Sequence, residues 1–123
     1  MLKNQFLEEI NSIHSTSKRP YADVTINDIK IKFLYDTGAD VSCIQEETFR
    51  KLKLPITKIT HKDCKSAGGQ SLKILGQTEL PLKFDGKTFS HTFLVIKDLN
   101  EKGIFGIDLI SKHQLNYSPK NRE

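Results

Sequence analysis

Residues 33–44 read FLYDTGADVSCI, an apolar run that stops at a carboxylate and a glycine and then resumes. Before this run, apolar residues alternate with lysines from Ile29 onward, which predicts a strand. Because residues 33–35 are all apolar, we expect the strand to end in the protein interior. Asp36 follows where that strand must turn, and a buried carboxylate is costly unless it is paired, hydrogen-bonded or protonated. An isolated Asp-Thr-Gly is also typical of an ordinary turn in which the Asp bonds its own loop.

The flanking sequence predicts short strands and few helices. Asn27-Asp28 and Asp85-Gly86 each join two alternating segments as a tight turn. Gly76 is expected to interrupt the strand pattern. About seven strands with regular turns favour a compact, mostly β barrel or sandwich. The predicted elements are further strands over 41–44, 57–65, 71–75, 78–84 and 88–96, and helices over 2–13, 46–52 and 108–115, the last begun or capped by Asp108.

The composition argues against several classes of function. The chain has 123 residues and a net charge of +4 spread along its length, with no Trp, so we expect one domain and no specific nucleic-acid interface. No apolar stretch approaches the ~20 residues that cross a bilayer, and no leader is recognisable, so neither membrane association nor secretion is expected. Cys43 and Cys64 predict reduced thiols in an intracellular protein. The cysteines and the four histidines lack the spacing of metal ligands, and no glycine-rich loop indicates a nucleotide cofactor.

Four segments, in matching order and spacing, resemble the retropepsin family, the single-domain aspartic proteases of retroviruses and long-terminal-repeat retrotransposons. The segments are Arg19-Pro20, the loop at 33–44, the glycine-containing hairpin at 65–74 and IFGIDLI at 104–110. The Gly-x-Asp-Leu form of the last segment is closer to gypsy-type retrotransposons than to lentiviruses. Because the resemblance covers residues 19–118, we expect a helix and linker extension at 1–18, a protease-like domain at 19–118 and a tail at 119–123.

The resemblance implies a small closed β-barrel of the retropepsin fold with one or two short helices. It also implies a homodimer, because this chain carries one Asp-Thr-Gly and the reaction needs two carboxylates. Asp36 is then the catalytic carboxylate, Thr37 bonds across the twofold axis, and Gly38 leaves room for the substrate backbone. The residues implied to bind substrate are Ala39, Asp40, Ala67, Gly68, Gly69, Ile104 and Phe105.

Alternatives stay open for several of these residues. The two glycines at 68 and 69 form either a flap that closes over bound peptide or simply a flexible hairpin. The apolar pair at 104 and 105 lines pockets beside the scissile bond or belongs to the core. Asp40 contacts substrate and pairs with Arg19 of the second copy, or is an exposed turn charge. Viral relatives often carry Arg where this chain has Ile107, so any ion-pair network around Asp40 is expected to be smaller or built differently.

The first functional hypothesis is a homodimeric aspartic endopeptidase that cleaves a retroelement polyprotein. It binds extended peptide as an added strand, needs no cofactor or metal, and works in the cytoplasm or within retroelement particles. The second hypothesis is a catalytically inactive retropepsin-fold module for dimerisation or peptide binding. The third is a small basic barrel that binds single-stranded nucleic acid, against which the lack of an aromatic stacking platform argues.

Overall fold

The computed structural model describes residues 20–65, 69 and 71–115, and its first element is the predicted hairpin. Strand β1 (Tyr21–Ile26) pairs antiparallel with β2 (Ile29–Tyr35). Asn27 and Asp28 between them have φ values of 51° and 68°, a left-handed turn that suits the twist of the paired strands. The last three residues of β2 are buried, which confirms that this strand ends in the interior.

Six strands close into a barrel, and a seventh extends it. Further along the chain come β3 (Cys43–Gln45), α1 (Glu46–Lys51), β4 (Lys58–Lys65), β5 (Ser71–Phe84), β6 (Lys87–Lys97), β7 (Gly103–Phe105) and α2 (Ile107–Lys112). The sheet order is β1-β2-β7-β3-β6-β5-β4, and pairing of Thr25 in β1 with Lys83 in β5 closes the ring. Strand β4 lies outside this ring, paired with β5. The prediction of a small, mostly β, closed barrel with short helices is confirmed.

Successive side chains of β2 point to opposite sides of the sheet, and they enter two different apolar clusters. Phe33 lies in the main core, where its ring centroid is 5.6 Å from that of Phe93 and 5.1 Å from that of Phe105. Leu34 takes the opposite side, as successive strand residues do. It belongs to a second cluster whose buried members also include Ala39, Cys43, Leu72, Ile96, Leu99 and Ile104. Since Ala39 is part of the Asp-Thr-Gly loop, this second cluster adjoins that loop.

Two sequence predictions about element boundaries were wrong. Gly76 does not interrupt a strand, because β5 runs unbroken from Ser71 to Phe84 with a register shift between Ile74 and Gly76. A Cβ at Gly76 would lie 2.5 Å from the carbonyl oxygen of Lys58, so the glycine lets β4 approach β5 closely. The last helix ends at Lys112 rather than 115, and its N-cap is Gly106. Asp108 lies in the first turn of this helix, one residue after its start, rather than at the cap.

The remaining predicted elements are shifted slightly or lie elsewhere. Strand β3 begins two residues later than predicted, and α1 matches the predicted helix to within a residue. The predicted helix over 2–13 lies outside the described residues. Across the ranges that the structure describes, no helix has the length and apolar character needed to span a membrane.

Candidate active site

Asp36 sits where two parallel strands end together. Strands β2 and β7 pair in parallel, with Tyr35 opposite Phe105. The next residue, Asp36, donates its backbone N–H to the carbonyl oxygen of Phe105 at 3.0 Å. Its side chain is enclosed, since the residue is 1% exposed in the single chain. The expected position of Asp36, directly after the buried end of β2, is confirmed.

The surroundings of Asp36 favour its protonated form. Burial raises the pKa of the Asp36 carboxyl, and hydrogen bonds from the backbone N–H groups of Gly38 and Ala39 offset only part of that effect. The Gly38 N–H donates to Oδ1 at 2.9 Å, which also fixes the orientation of the carboxyl group. A carboxyl group held in this way can keep a proton at a pH where an ordinary aspartate is ionised, as acid–base catalysis requires.

The rest of the loop divides into exposed and buried positions. Thr37 and Asp40 are exposed, and Gly38 is half-buried. Ala39 is fully buried in the second cluster, and its carbonyl oxygen accepts the backbone N–H of Ile107 at 2.8 Å. The last residue of β7 and the first residue of α2 therefore hold the loop at two points, at Asp36 and at Ala39. The predicted partner of Asp40, Arg19, lies outside the described residues.

The structure separates the two apolar residues predicted to line substrate pockets. Ile104 is buried in the second cluster and pairs with Leu34 across β7 and β2. Phe105 is fully buried in the main core, with its ring 5.7 Å from that of Phe84. Strand alternation sends these neighbours to opposite sides, so Ile104 is the one beside the Asp-Thr-Gly loop.

Only one of the predicted flap residues can be placed. Gly69 is exposed, with φ +86° and no atom within 4 Å of a Cβ built on it. This left-handed backbone is one that glycine adopts without strain. Ala67 and Gly68 lie outside the described residues. On either side, β4 ends at Lys65 and β5 begins at Ser71, so the segment between them joins two paired strands.

Sequence reasoning missed a hydrogen-bonded chain of side chains behind the loop. The backbone N–H of Gly106 donates to Ser42 Oγ at 2.8 Å, and Ser42 Oγ donates to Asp108 Oδ1 at 2.8 Å. The other carboxylate oxygen of Asp108 lies 3.0 Å from His91 Nε2, and His91 Nδ1 lies 3.2 Å from His113 Nε2. The available signal was the Gly-x-Asp in the segment at 104–110, which the sequence analysis interpreted as a helix start.

Among the described residues, the pKa values of Asp108 and His113 are lowered. Burial raises the pKa of Asp108, but hydrogen bonds from His91 and Ser42 outweigh it, so the net pKa lies below the ordinary value. Burial lowers the pKa of His113, and the nearby His91, Lys112 and Lys87 add to that effect against the opposing charge of Asp108. At neutral pH, therefore, Asp108 is a carboxylate that accepts hydrogen bonds on both oxygens.

Comparison with protein families and curated proteins gives concordant matches. The family model described as "gag-polyprotein putative aspartyl protease" matches residues 22–112. The DNA-damage inducible 1 protein of Arabidopsis thaliana is 27% identical over 96 residues, and the retrovirus-related Pol polyprotein from transposon 412 of Drosophila melanogaster is 33% identical over 88. These alignments cover 76% and 69% of this chain but 23% and 7% of the two relatives. The chain thus spans less than a quarter of either relative's length.

Solved structures share the fold. The retroviral protease-like domain of Ddi1 from Leishmania major superposes with a TM-score of 0.68 at 23% identity, covering 85% of each chain. The EIAV protease in complex with the inhibitor HBY-793 also has a TM-score of 0.68, at 27% identity, covering 85% of this chain and 97% of the other. The architecture is therefore that of the retroviral proteases.

Proposed function

The chain belongs to the gag-polyprotein aspartyl protease family, and from that premise we propose that two copies of it form a homodimeric aspartic endopeptidase. The observation that carries this proposal is the state of Asp36. It is a carboxyl group enclosed at a strand end, with a raised pKa and a fixed orientation, in a chain with a single Asp-Thr-Gly. One such group is half of an aspartic protease centre.

Twofold symmetry supplies the other half. Aspartic proteolysis uses two carboxylates about 3 Å apart that share one proton, because like charges so close cannot both ionise. In a homodimer the two Asp36 side chains meet on the twofold axis, and each contributes the same group to one site. Thr37 is exposed in the single chain, so its hydroxyl is available to bond to the opposite loop. Burial already favours the protonated form of each carboxyl, which suits a pair that must keep one proton.

The chemistry then follows from the shared proton. The ionised Asp36 acts as general base on a water molecule, and the protonated one donates to the oxygen of the scissile carbonyl. The water oxygen bonds to the carbonyl carbon to give a gem-diol, and the proton taken from the water moves to the base, so the two carboxyl groups exchange roles. As the C–N bond then breaks, the newly protonated Asp36 donates its proton to the leaving nitrogen, and one diol hydroxyl returns a proton to the other Asp36, which restores the pair. Because the titration belongs to the pair, the acidic limb of the pH profile reports both residues together. No metal or cofactor takes part in these steps.

The proposed substrate is an extended polypeptide within a retroelement polyprotein. This assignment is supported by the similarity to the transposon 412 polyprotein. The apolar second cluster beside the loop, including Ala39 and Ile104, favours substrates with apolar residues next to the cut bond. Gly38 would approach the peptide backbone, Asp40 would bond to it, and the segment containing Ala67, Gly68 and Gly69 would cover it. The corresponding site of action is the cytoplasm or a retroelement particle.

A second candidate is a retropepsin-fold module that binds peptide or dimerises without cleaving. The observation that favours it is the match to the Arabidopsis DNA-damage inducible 1 protein, whose name describes no polyprotein. This candidate keeps the barrel and the dimer but assigns no reaction to Asp36. It predicts the same sedimentation behaviour as the protease and no cleavage at any pH.

Digestion of a mixed peptide library by wild type and by Asp36→Asn separates the two candidates. The protease predicts cleavage with an optimum on the acid side of neutrality, inhibition by a statine-type transition-state mimic and no effect of chelators. The Asp36→Asn variant keeps the Gly38 N–H hydrogen bond through its amide oxygen, so it is expected to fold and dimerise without cleaving. Unchanged cleavage by the variant would overturn the assignment of Asp36, and absence of cleavage by the wild-type dimer at every pH would favour the inactive module.

A further inference from the structure

His91 is buried, at 8% exposure, and it lies between Asp108 and His113 in the hydrogen-bonded chain of side chains behind the Asp-Thr-Gly loop. The hydrogen bonds among these side chains converge on Asp108 from both sides. Since Asp108 accepts on both oxygens, Ser42 must donate to Oδ1, which leaves its own oxygen free to accept from Gly106 N–H. His91 must likewise carry its proton on Nε2 to donate to Oδ2, so that its Nδ1 accepts from His113.

The hydrogen-bonded chain of side chains ends at Gly106, in the backbone that holds the loop. Phe105 accepts the N–H of Asp36 at 3.0 Å, and Ile107 donates to the carbonyl of Ala39 at 2.8 Å. Gly106, between them, donates to Ser42. A shift of Gly106 would therefore move both attachment points of the loop together. The fit is tight, because a Cβ on Gly106 would lie 2.9 Å from the Ala39 carbonyl oxygen.

We infer that His91 is a positioning residue for the Asp36 loop, acting through Asp108, Ser42 and Gly106. This inference rests on the proposed protease function for its catalytic consequence, while the structural linkage stands independently of it. His91 touches neither substrate nor the carboxyl pair. His91 orients the carboxylate of Asp108, and Asp108 in turn orients the Ser42 hydroxyl. Ser42 then holds the backbone N–H of Gly106, beside the two residues that bond to the Asp36 loop.

The hydrogen bonds of this linkage depend on Asp108 remaining a carboxylate, because it accepts from Ser42 and from His91. The groups that face the two rings are Asp108, Lys112 and Lys87, while Phe89 stacks on His113 with centroids 4.1 Å apart. The two lysines disfavour a proton on His113. The hydrogen bond from His91 lowers the pKa of Asp108, so the linkage persists until Asp108 itself is protonated.

The linkage is tested by NMR without any need for catalysis. In the Asp36→Asn protein, where the catalytic carboxyl is silent, the Asp108 side-chain carbon and the Gly106 amide are followed from pH 8 to pH 2, because the pKa of Asp108 lies below its ordinary value. We expect both to change with one midpoint, and we expect His91→Gln to move that midpoint to higher pH, because an amide N–H is a weaker donor to a carboxylate than an imidazole N–H. The inference is overturned if Gly106 does not follow Asp108, or if the substitution leaves the midpoint in place.

Cleavage kinetics test the catalytic consequence with matched variants. For His91→Phe, kcat is expected to fall about 10- to 100-fold with little change in KM, because a loop displaced by up to ~1 Å misaligns the reacting groups. His91→Gln is expected to keep kcat at pH 7 within about threefold of wild type, since the bond to Asp108 remains, and His61→Gln on exposed β4 is the control. If His91→Phe does not fold, His91→Gln and the NMR midpoint decide. If the wild-type protein does not cleave, the proposed protease function is refuted. If a folded His91→Phe variant has the same kcat as wild type, the positioning role of His91 is refuted.

Discussion

Replacing Gly106 with alanine tests how tightly the end of β7 must fit against the Asp-Thr-Gly loop. Gly106 has φ −90° and ψ 179°, which alanine adopts freely, so the cost of the substitution is steric. The new Cβ would lie 2.8 Å from the carbonyl carbon of Val41, 2.9 Å from the Ala39 oxygen and 3.0 Å from Asp108 Oδ1. Since nonbonded heavy atoms pack at ~3.5 Å, these neighbours must retreat by roughly half an ångström.

The expected change in the free energy of unfolding of Gly106→Ala combines a small stabilisation of the protein with a larger steric penalty. Gly→Ala in open space stabilises a protein by ~0.4–1 kcal/mol through the unfolded chain. Here two of the three contacts are backbone atoms, so we expect overpacking to dominate and lower the free energy of unfolding by about 1–3 kcal/mol. A loop shift of half an ångström is expected to reduce kcat about tenfold, given that ~1 Å costs up to ~10²-fold.

Urea unfolding followed by circular dichroism and peptide cleavage measure the two effects on the same protein. Gly86→Ala is the control, because Gly86 in the β5–β6 turn has φ +75° and no atom within 4 Å of a built Cβ. That variant is expected to lose ~1–2 kcal/mol to left-handed backbone strain while kcat stays unchanged. A Gly106→Ala protein as stable and as active as wild type would refute the steric reasoning.

Three further predictions concern the carboxyl, the dimer and the core. Because the pKa of Asp36 is raised above its ordinary 3.8, the folded state loses stability as the pH rises through the folded-state pKa. Urea titrations of the monomer are expected to find Asp36→Asn more stable than wild type at pH 7 and equally stable below pH 3.8. A wild type more stable than the variant at pH 7 would contradict the raised pKa. Thr37→Val is expected to weaken the dimer about 30-fold in sedimentation, by two hydrogen bonds of ~1 kcal/mol each, whereas Thr92→Val on exposed β6 leaves it intact. Phe93→Ala is expected to cost ~3–5 kcal/mol in urea unfolding, and a loss below ~1 kcal/mol would mean that the core repacks.

Local signals in the sequence predicted the parts of the fold that depend on neighbouring residues. The alternation around Asn27-Asp28 predicts the first hairpin, because turn type and strand period are set within a few residues. The apolar end of β2 likewise predicts that Asp36 is buried. The same reasoning failed at Gly76, because the need for glycine there comes from the close approach of Lys58 on another strand. Such contacts arise only once the barrel closes.

The sequence did not predict the hydrogen-bonded chain of side chains behind the site, for the same reason. Ser42, His91 and Asp108 lie on three separate elements, and each alone has an ordinary interpretation as a turn, strand or helix-start residue. Parallel pairing of β3 with β6 and antiparallel pairing of β3 with β7 bring these elements together, and strand pairing over such separations leaves no periodic mark in the sequence. The sorting of Ile104 and Phe105 to different clusters also depends on which face of β7 the barrel encloses.

Mixing wild type with the Asp36→Asn variant tests most directly whether the centre is shared between two copies. Equal amounts are combined above the dimer dissociation constant, allowed to exchange subunits, and compared with wild type alone at the same total concentration. Random pairing leaves about a quarter of the dimers with two Asp36 residues, so a shared centre predicts a quarter of the wild-type rate. A rate of one half would mean that each chain works by itself, and would contradict the proposal that the two carboxyls act as a pair.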